Sequence, residues 1–359
     1  MRRTIRRLGK VGVGAGLRAG AALAVAAALV AGVAGSASAS PRHRHGPAVA
    51  TIDVGLALSP PKVIFMGPYV AAQEGFFAKE HLRIHYISMP TGLETELGTT
   101  AGTINFGLSS GTDPIEAAAA TAPVTAIGSY GEKLTTICIV PRTIKSAKTL
   151  IGKPVGTTGA TGFAYTTLNA CLVAGGVHIT QVKPITMTRA EFVAAIESHR
   201  IYAAAFHADT GYVVLHTLKG SHVLYEEYKA VPTWWYGAIS VKTAYARSHK
   251  SITERFLAAL ILADRWMNAK KNTTKLITIA VTATTETEKA VAYAVKLELA
   301  SHTWSTTLAI EPRRVNFTTN ELLKLKEITH KPRYSQIVTT EYLKGALKLL
   351  KKQGLAKGY

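Results

Sequence analysis

KPVGTTGATGFAYTTLNACL, residues Lys153–Leu172, sets an extended apolar run at Lys153–Val155 against a helical pattern carried by Thr166, Leu168 and Leu172. Between them lies a glycine- and threonine-rich turn within Gly156–Tyr165. A strand passing through such a turn into a helix is the building unit of an α/β fold. The turn is also a natural small-anion site. Glycine lets the backbone come close, hydroxyls donate, and the first helical N–H groups have no intrahelical partner. The glycines run G-x-x-G-x-x-G and no Gly-Lys-Ser/Thr follows, which excludes the dinucleotide fingerprint and the Walker-type phosphate loop. Taken alone, the same residues also fit a tight turn that binds nothing.

Outward from this unit the alternation continues. Thr51–Leu58 reads as a first strand that Ser59-Pro60-Pro61 must end. Phe65–Leu82 is helical, with Pro68 in its first turn and Gly75 near its end. Arg83–Ser88, Thr103–Leu108, Val124–Ser129 and Thr135–Val140 are predicted strands, with a capping box at Thr91-x-x-Glu94 and a helix from Asp113-Pro114 between them. Beyond the central unit come the strand Lys183–Met187, a helix opened by Thr188-x-x-Glu191, and the strands Ile201–Phe206 and Ser221–Tyr225. From Ser251 the pattern is helical. Ser251-x-x-Glu254, Thr285-x-x-Glu288 and Thr318-x-x-Glu321 each predict a helix start, and Thr340–Lys352 predicts the last helix.

The first 39 residues stand apart. Arg2, Arg3, Arg6, Arg7, Lys10 and Arg18 precede an alanine-rich run from Ala19 to Ala34, and Ala37-Ser38-Ala39 is an A-x-A cleavage signal. The run is short of the ~20 residues of a spanning helix, so it reads as a secretory signal peptide and not as an uncleaved anchor. Arg6-Arg7 offers a twin-arginine pair in a poorly matching context. No cysteine sits at the cleavage point, which excludes a lipid-anchored lipoprotein. Residues 40–50 are expected to be a flexible mature N-terminus. Removing the leader takes six of the 42 basic residues and none of the 22 acidic ones, so the net charge falls from +20 to +14. This balance allows contact with an anionic membrane or wall, or life in acid. The basic residues are scattered apart from Lys344–Lys357, and no nucleic-acid motif accompanies them, so nucleic acid is not an expected partner. Cys138 and Cys171 permit a disulfide in an exported chain, yet both sit in apolar runs, which favours two buried thiols. No metal-ligand cluster and no cofactor motif is visible.

PYVAAQEGFFAKEHLRI (Pro68–Ile84), AGTINFGLSSGTDP (Ala101–Pro114) and KTLIGKPVGTTGATGFAY (Lys148–Tyr165) resemble, in order and spacing, the substrate-binding proteins of ABC importers. The branch is the one for sulfonates, taurine, nitrate and thiamine-precursor pyrimidines. The resemblance covers about Thr51–Gly237. It implies a two-lobed periplasmic-binding-protein-like fold of type II, each lobe a mostly parallel sheet flanked by helices, with a helical C-terminal region. The lobes are expected as 51–140 and 141–233, with 234–359 returning to the first lobe and its Lys-rich end wrapping it. Crossings are placed near Pro141 and Trp234–Ile239. The chain departs from the family at Asn105, where an acid is usual, and at Ile201–Asp209, where His207 stands in the place of a pocket tryptophan.

In open α/β sheets ligands bind at the carboxyl ends of strands. That rule selects Ser59, Ser110, Thr112, Thr157, Thr158, Thr161, Gly162, His207 and Asp209 as ligand-binding candidates, with Phe65 beside them. Trp234, in the run Trp234-Trp235-Tyr236, is expected to cover an apolar or planar ligand. His207 can donate to an anion or stack, and acid would charge it, while Asp209 answers a cationic group on the ligand or, the favoured reading, caps a helix over Thr210–Leu215. Enzymes of the thiamine-pyrimidine and menaquinone pathways share the fold, but neither a cysteine-rich run nor a nucleophile–base set is present, so no catalytic residue is assigned. The expected protein is a monomeric exported receptor that presents a small organic or oxyanionic ligand to an ABC permease and ATPase. The rival is a secreted module that adheres through its basic surface.

Overall fold

The computed structural model describes residues 48–356. The expected leader, the mature N-terminus through residue 47, and Lys357 of the basic tail lie outside the described residues. The chain begins with β1 (Ala50–Ala57), α1 (Met66–Gln73), α2 (Phe76–Lys79), β2 (Leu82–Met89), α3 (Gly92–Ala101), β3 (Phe106–Ser110), α4 (Asp113–Ala119) and β4 (Val124–Gly131). A second set follows: β5 (Ile137–Pro141), β6 (Pro154–Thr157), α5 (Phe163–Ala174), β7 (Lys183–Thr186), α6 (Phe192–Glu197), β8 (Ala204–Phe206), α7 (Ala208–Thr217), β9 (Ser221–Glu226) and α8 (Glu227–Ala230). Then β10 (Gly237–Lys242) leads into α9 (Thr243–Ser248), α10 (Lys250–Asn268), α11 (Thr273–Thr284), α12 (Glu288–Ser301), α13 (Pro312–Leu325), α14 (Tyr334–Ile337) and α15 (Glu341–Lys352).

The strands form a sheet in the order β2-β1-β3-β10-β4, a sheet β8-β5-β9 and a pair β6-β7. Two backbone bonds, Tyr202 N–H to Pro154 O and Gly156 N–H to Ala203 O, both 2.8 Å, tie the β6-β7 pair to the chain entering β8. The second set therefore reads β7-β6-β8-β5-β9. Each set is mostly parallel, as expected, with one strand running the opposite way. β1 runs parallel to β2 and β3, but β10 is antiparallel to both β3 and β4, and β5 is antiparallel to β8 and β9. The reason is topological. β5 and β10 carry the chain from one sheet to the other, so neither follows a crossover helix that would return it parallel to its predecessor.

The core forms around α10, whose buried residues include Phe256, Leu257, Leu260 and Ile261. Phe256 stacks on Phe106 of β3 at 4.2 Å and on Phe77 of α2 at 5.8 Å. Against α10 packs α15, which buries Tyr342, Leu343, Ala346 and Leu350 and leaves its lysines outward.

The capping patterns divide by context. Thr91 accepts the Glu94 N–H at 3.2 Å, and Glu191 accepts the Thr188 N–H at 2.7 Å, so both of these boxes open helical turns as predicted. The other three do not. Ser251 lies inside α10, and Thr318 lies inside α13, which begins at Pro312. Thr285 ends α11 in the left-handed region (φ 58°), while Thr287 caps α12 by accepting the Ala290 N–H at 3.3 Å. A Ser/Thr-x-x-Glu spacing marks a start only where no helix is already running, because i and i+3 are also neighbours within a helix. The unpredicted α11, TTKLITIAVTAT, is rich in β-branched residues of modest helix propensity. It forms because Leu276 and Ala280, one turn apart, are fully buried among α1 and α12.

Cys138 of β5 and Cys171 of α5 are joined as a disulfide with Cα atoms 5.9 Å apart, which corrects the preference for buried thiols. Apolar surroundings suit a buried disulfide as well as a thiol, so composition could not separate the two. Opening it with Cys171→Ser should lower the unfolding free energy by about 2–4 kcal/mol in chemical denaturation, as expected for a loop of this order.

Candidate functional site

A cavity of about 290 Å³ lies where the carboxyl ends of β1, β3, β6, β7 and β8 converge. One wall comes from the first sheet and its loops: Leu58, Phe65, residues 90–93 at the start of α3, Ser110, Asp113, Glu116 and Tyr130. The facing wall is Thr158, Thr161, Gly162, Phe163, Arg189 and His207, and Tyr236, whose carbonyl accepts the Gly111 N–H of the first set, lines the cavity beside them. Tyr130 reaches it because β10 carries Gly237 there. A Cβ on Gly237 would sit 2.3 Å from the Tyr130 ring.

Six of the eleven residues selected from sequence line the cavity: Phe65, Ser110, Thr158, Thr161, Gly162 and His207. Ser59 is exposed outside it, since Leu58 turns the chain in the left-handed region (φ 78°) and takes the inward place. Thr112 is wholly buried, its hydroxyl 3.0 Å from Ser110 Oγ. Thr157 donates its hydroxyl to Gly159 O at 2.9 Å and so serves its own turn. Asp209 accepts the Val63 N–H at 3.0 Å and the Thr210 N–H at 2.7 Å, which pins α7 to the start of α1. Trp234 is 2 % exposed and packs edge-on against Phe317, so it covers no ligand in this cavity. Trp235 is likewise internal, donating through Nε1 to Ser129 Oγ at 3.1 Å. The third ring of that run, Tyr236, is the one that reaches the cavity.

The aromatic wall is stacked. Phe163 lies 5.2 Å from His207 and 5.7 Å from Tyr236, with interplanar angles of 13° and 15°. His207 Nδ1 and the Tyr236 hydroxyl are 2.8 Å apart, while His207 Nε2 is buried without a partner among the described residues. Burial, with Arg189 and Lys62 near, pushes the His207 pKa well below its ordinary value. The shift favours the neutral ring over a cationic donor, and the ring stacks on Phe163, the other role open to it from sequence.

The anion turn is also occupied differently from its expectation. Gly162, with φ 81°, opens α5, but its N–H faces Glu327 Oε2 at 3.4 Å. A carboxyl of the chain itself thus sits at the helix start. Burial raises Glu327 to about 8 and Glu116, hydrogen-bonded to it, to about 7. Burial and the neighbouring acids Glu116, Glu96 and Glu327 hold Asp113 well above the usual carboxylate range, although it accepts the Ser110 N–H at 2.7 Å.

Arg189 is the group that sequence reasoning missed. It follows β7, is half-buried in the cavity wall, and its guanidinium makes no hydrogen bond or ion pair with any described residue. A guanidinium cannot shed its proton at ordinary pH, so it stands as a free cation facing the cavity. Its position at the carboxyl end of β7 satisfies the rule that selected the other candidates. The capping pattern around it drew attention to Thr188 and Glu191 instead.

The residues 63–271 match the model of the family described as NMT1/THI5 like, which spans more than half of the chain. The chain belongs to the NMT1/THI5-like family. No curated protein sequence matches it. Among solved structures, the alkanesulfonate-binding protein SsuA of Xanthomonas axonopodis pv. citri, bound to MOPS, matches with TM-score 0.66 and 15% identity, over 81% of this chain and 99% of that one. The periplasmic aliphatic sulphonate-binding protein SsuA of Escherichia coli matches with TM-score 0.66 and 18% identity, over 81% and 92%. The ligand-binding component of an ABC-type import system from Staphylococcus aureus, solved with zinc bound, matches with TM-score 0.68 and 13% identity, over 82% and 98%. This NMT1/THI5-like chain thus has the periplasmic-binding-protein fold that its sequence motifs implied. Among the described residues no helix is long and apolar enough to cross a membrane, and no group of histidine, cysteine and acidic side chains is arranged to hold a metal ion.

Proposed function

We propose that the protein is an exported solute receptor that binds a small organic anion in this cavity, closes on it, and delivers it to an ABC permease and ATPase. The observation that carries the reading is Arg189, an unpaired guanidinium in a ligand-sized cavity walled by stacked rings. Cavities of about 300 Å³ upward with few polar groups are typical ligand sites, and a guanidinium fork matches carboxylate or sulfonate. The named activities of the structural neighbours, sulfonate binding and ABC import, point the same way.

The sheet sets are taken as lobes, 51–136 with 234–359 and 137–233, joined through the residues before β5 and β10; the first crossing is placed ahead of β5 because β5 pairs with β8 and β9. A ligand that touches both walls favours the closed arrangement by differential affinity. Both cysteines are in the disulfide, so the cavity offers no thiol nucleophile, and the reading is of a receptor without a reaction. Calorimetric titration of the purified chain against sulfonates, nitrate, aromatic acids and pyrimidines tests it, with micromolar or tighter binding of at least one acid expected. Binding of none would remove the reading. Thr161→Val removes one neutral donor from the rim and should weaken the bound acid roughly two- to tenfold, an effect readable in the same titration.

A further inference from the structure

Arg189 is not alone in lacking a counterpart. On the opposite wall Asp113 is 4 % exposed and lines the same cavity. Its Oδ2 accepts the Ser110 N–H, while Oδ1 has no partner among the described residues. One turn along α4, Glu116 also lines the cavity; its carboxyl is bonded to that of Glu327, and its buried Oε1 accepts no N–H or hydroxyl from the described residues. The charged groups acting on Asp113 are all acids, Glu116, Glu96 and Glu327. A simple oxyanion would satisfy Arg189 and leave these carboxyls facing its body, where they offer it nothing. A ligand N–H would satisfy them, because a carboxyl oxygen accepts in the ionised form and a protonated carboxyl retains its carbonyl acceptor.

We propose that the ligand is bipolar: a flat ring carrying an acidic group for Arg189 at one end and an amino group for Asp113 and Glu116 at the other. The ring follows from the parallel stack of Phe163, His207 and Tyr236, which a planar ligand extends. This rests on the receptor reading above and narrows it to one ligand class.

The test is calorimetry of the full chain with benzoate, 4-aminobenzoate, benzenesulfonate, 4-aminobenzenesulfonate and aniline. Each amino acid derivative should bind at least tenfold tighter than its unsubstituted parent, and aniline weaker than either. In Glu116→Gln, whose fold is checked by thermal melting, the preference for the amino derivative should shrink to less than threefold. The wild-type comparison decides even if that variant does not fold. Parents that bind as tightly as their amino derivatives would overturn the bipolar ligand and leave the receptor reading intact. Absence of binding by every probe, together with unchanged solution scattering, would overturn both.

Discussion

Arg189→Gln is expected to weaken binding of the anionic ligand by about 100-fold or more while leaving the melting temperature close to that of the wild type. Two observations set the size. Among the described residues the guanidinium has no hydrogen-bond or ion-pair partner, so its removal breaks no such contact of the fold. In the complex it would form a charge-assisted, bidentate contact in a desolvated place, and truncating one member of such a pair costs about 2–5 kcal/mol. Arg189→Lys should recover only part of the affinity, since an ammonium keeps the charge and loses the fork. Titration of both variants with the tightest acid found for the wild type reads the result. Unchanged affinity in Arg189→Gln would place the anion elsewhere, with the Thr158–Gly162 turn the next site to examine.

The second large effect is a loss of stability as pH rises. Burial lifts Glu96 and Glu116 to about 7 and Glu227, Glu298 and Glu327 to about 8, each against an ordinary value near 4.5. Burial raises Asp264 as well, and its Oδ2 has no partner among the described residues. The folded chain therefore keeps protons that the unfolded chain has released. The stabilisation is fully present below about pH 4.5, falls progressively above it, and is gone once pH has climbed through the folded values of about 7 to 8. One such carboxyl alone corresponds to about 3 kcal/mol across that interval. Chemical denaturation at pH 5 and pH 8.5 should give a midpoint well lower at the higher pH. Glu227→Gln, a neutral isostere that can still accept the Thr136 hydroxyl, should flatten the dependence. Equal stability at the two pH values would mean that these carboxyls ionise freely. The direction fits the net positive charge of the chain, since both features suit an acidic setting.

The architecture was legible because it rests on local signals: the strand–turn–helix at Pro154–Ala174, the Thr91 and Thr188 boxes, and three family-like motifs in sequence order. The parts that were not legible depend on what the chain meets in space. Nothing local distinguishes Trp234, packed on Phe317, from Tyr236, two residues on and bonded to His207. Both precede β10, so no strand period assigns them a side, and only the neighbours met in space, Phe317 for one and His207 for the other, separate core from cavity. Glu327 lies 165 residues from the glycine whose N–H it faces, so its place in the anion turn could not be read from the turn. Arg189 was hidden by a stronger pattern around it. His207 lines the cavity, while its charge depends on a burial that sequence does not show.

Solution scattering during ligand titration tests the central claim most directly, that an acid bridging the two walls draws the sheet sets together. With the tightest-binding acid from the calorimetric panel, the radius of gyration should fall and saturate along the calorimetric binding curve, and Arg189→Gln should show neither change at the same concentrations. A radius that stays constant while calorimetry reports saturated binding would contradict it.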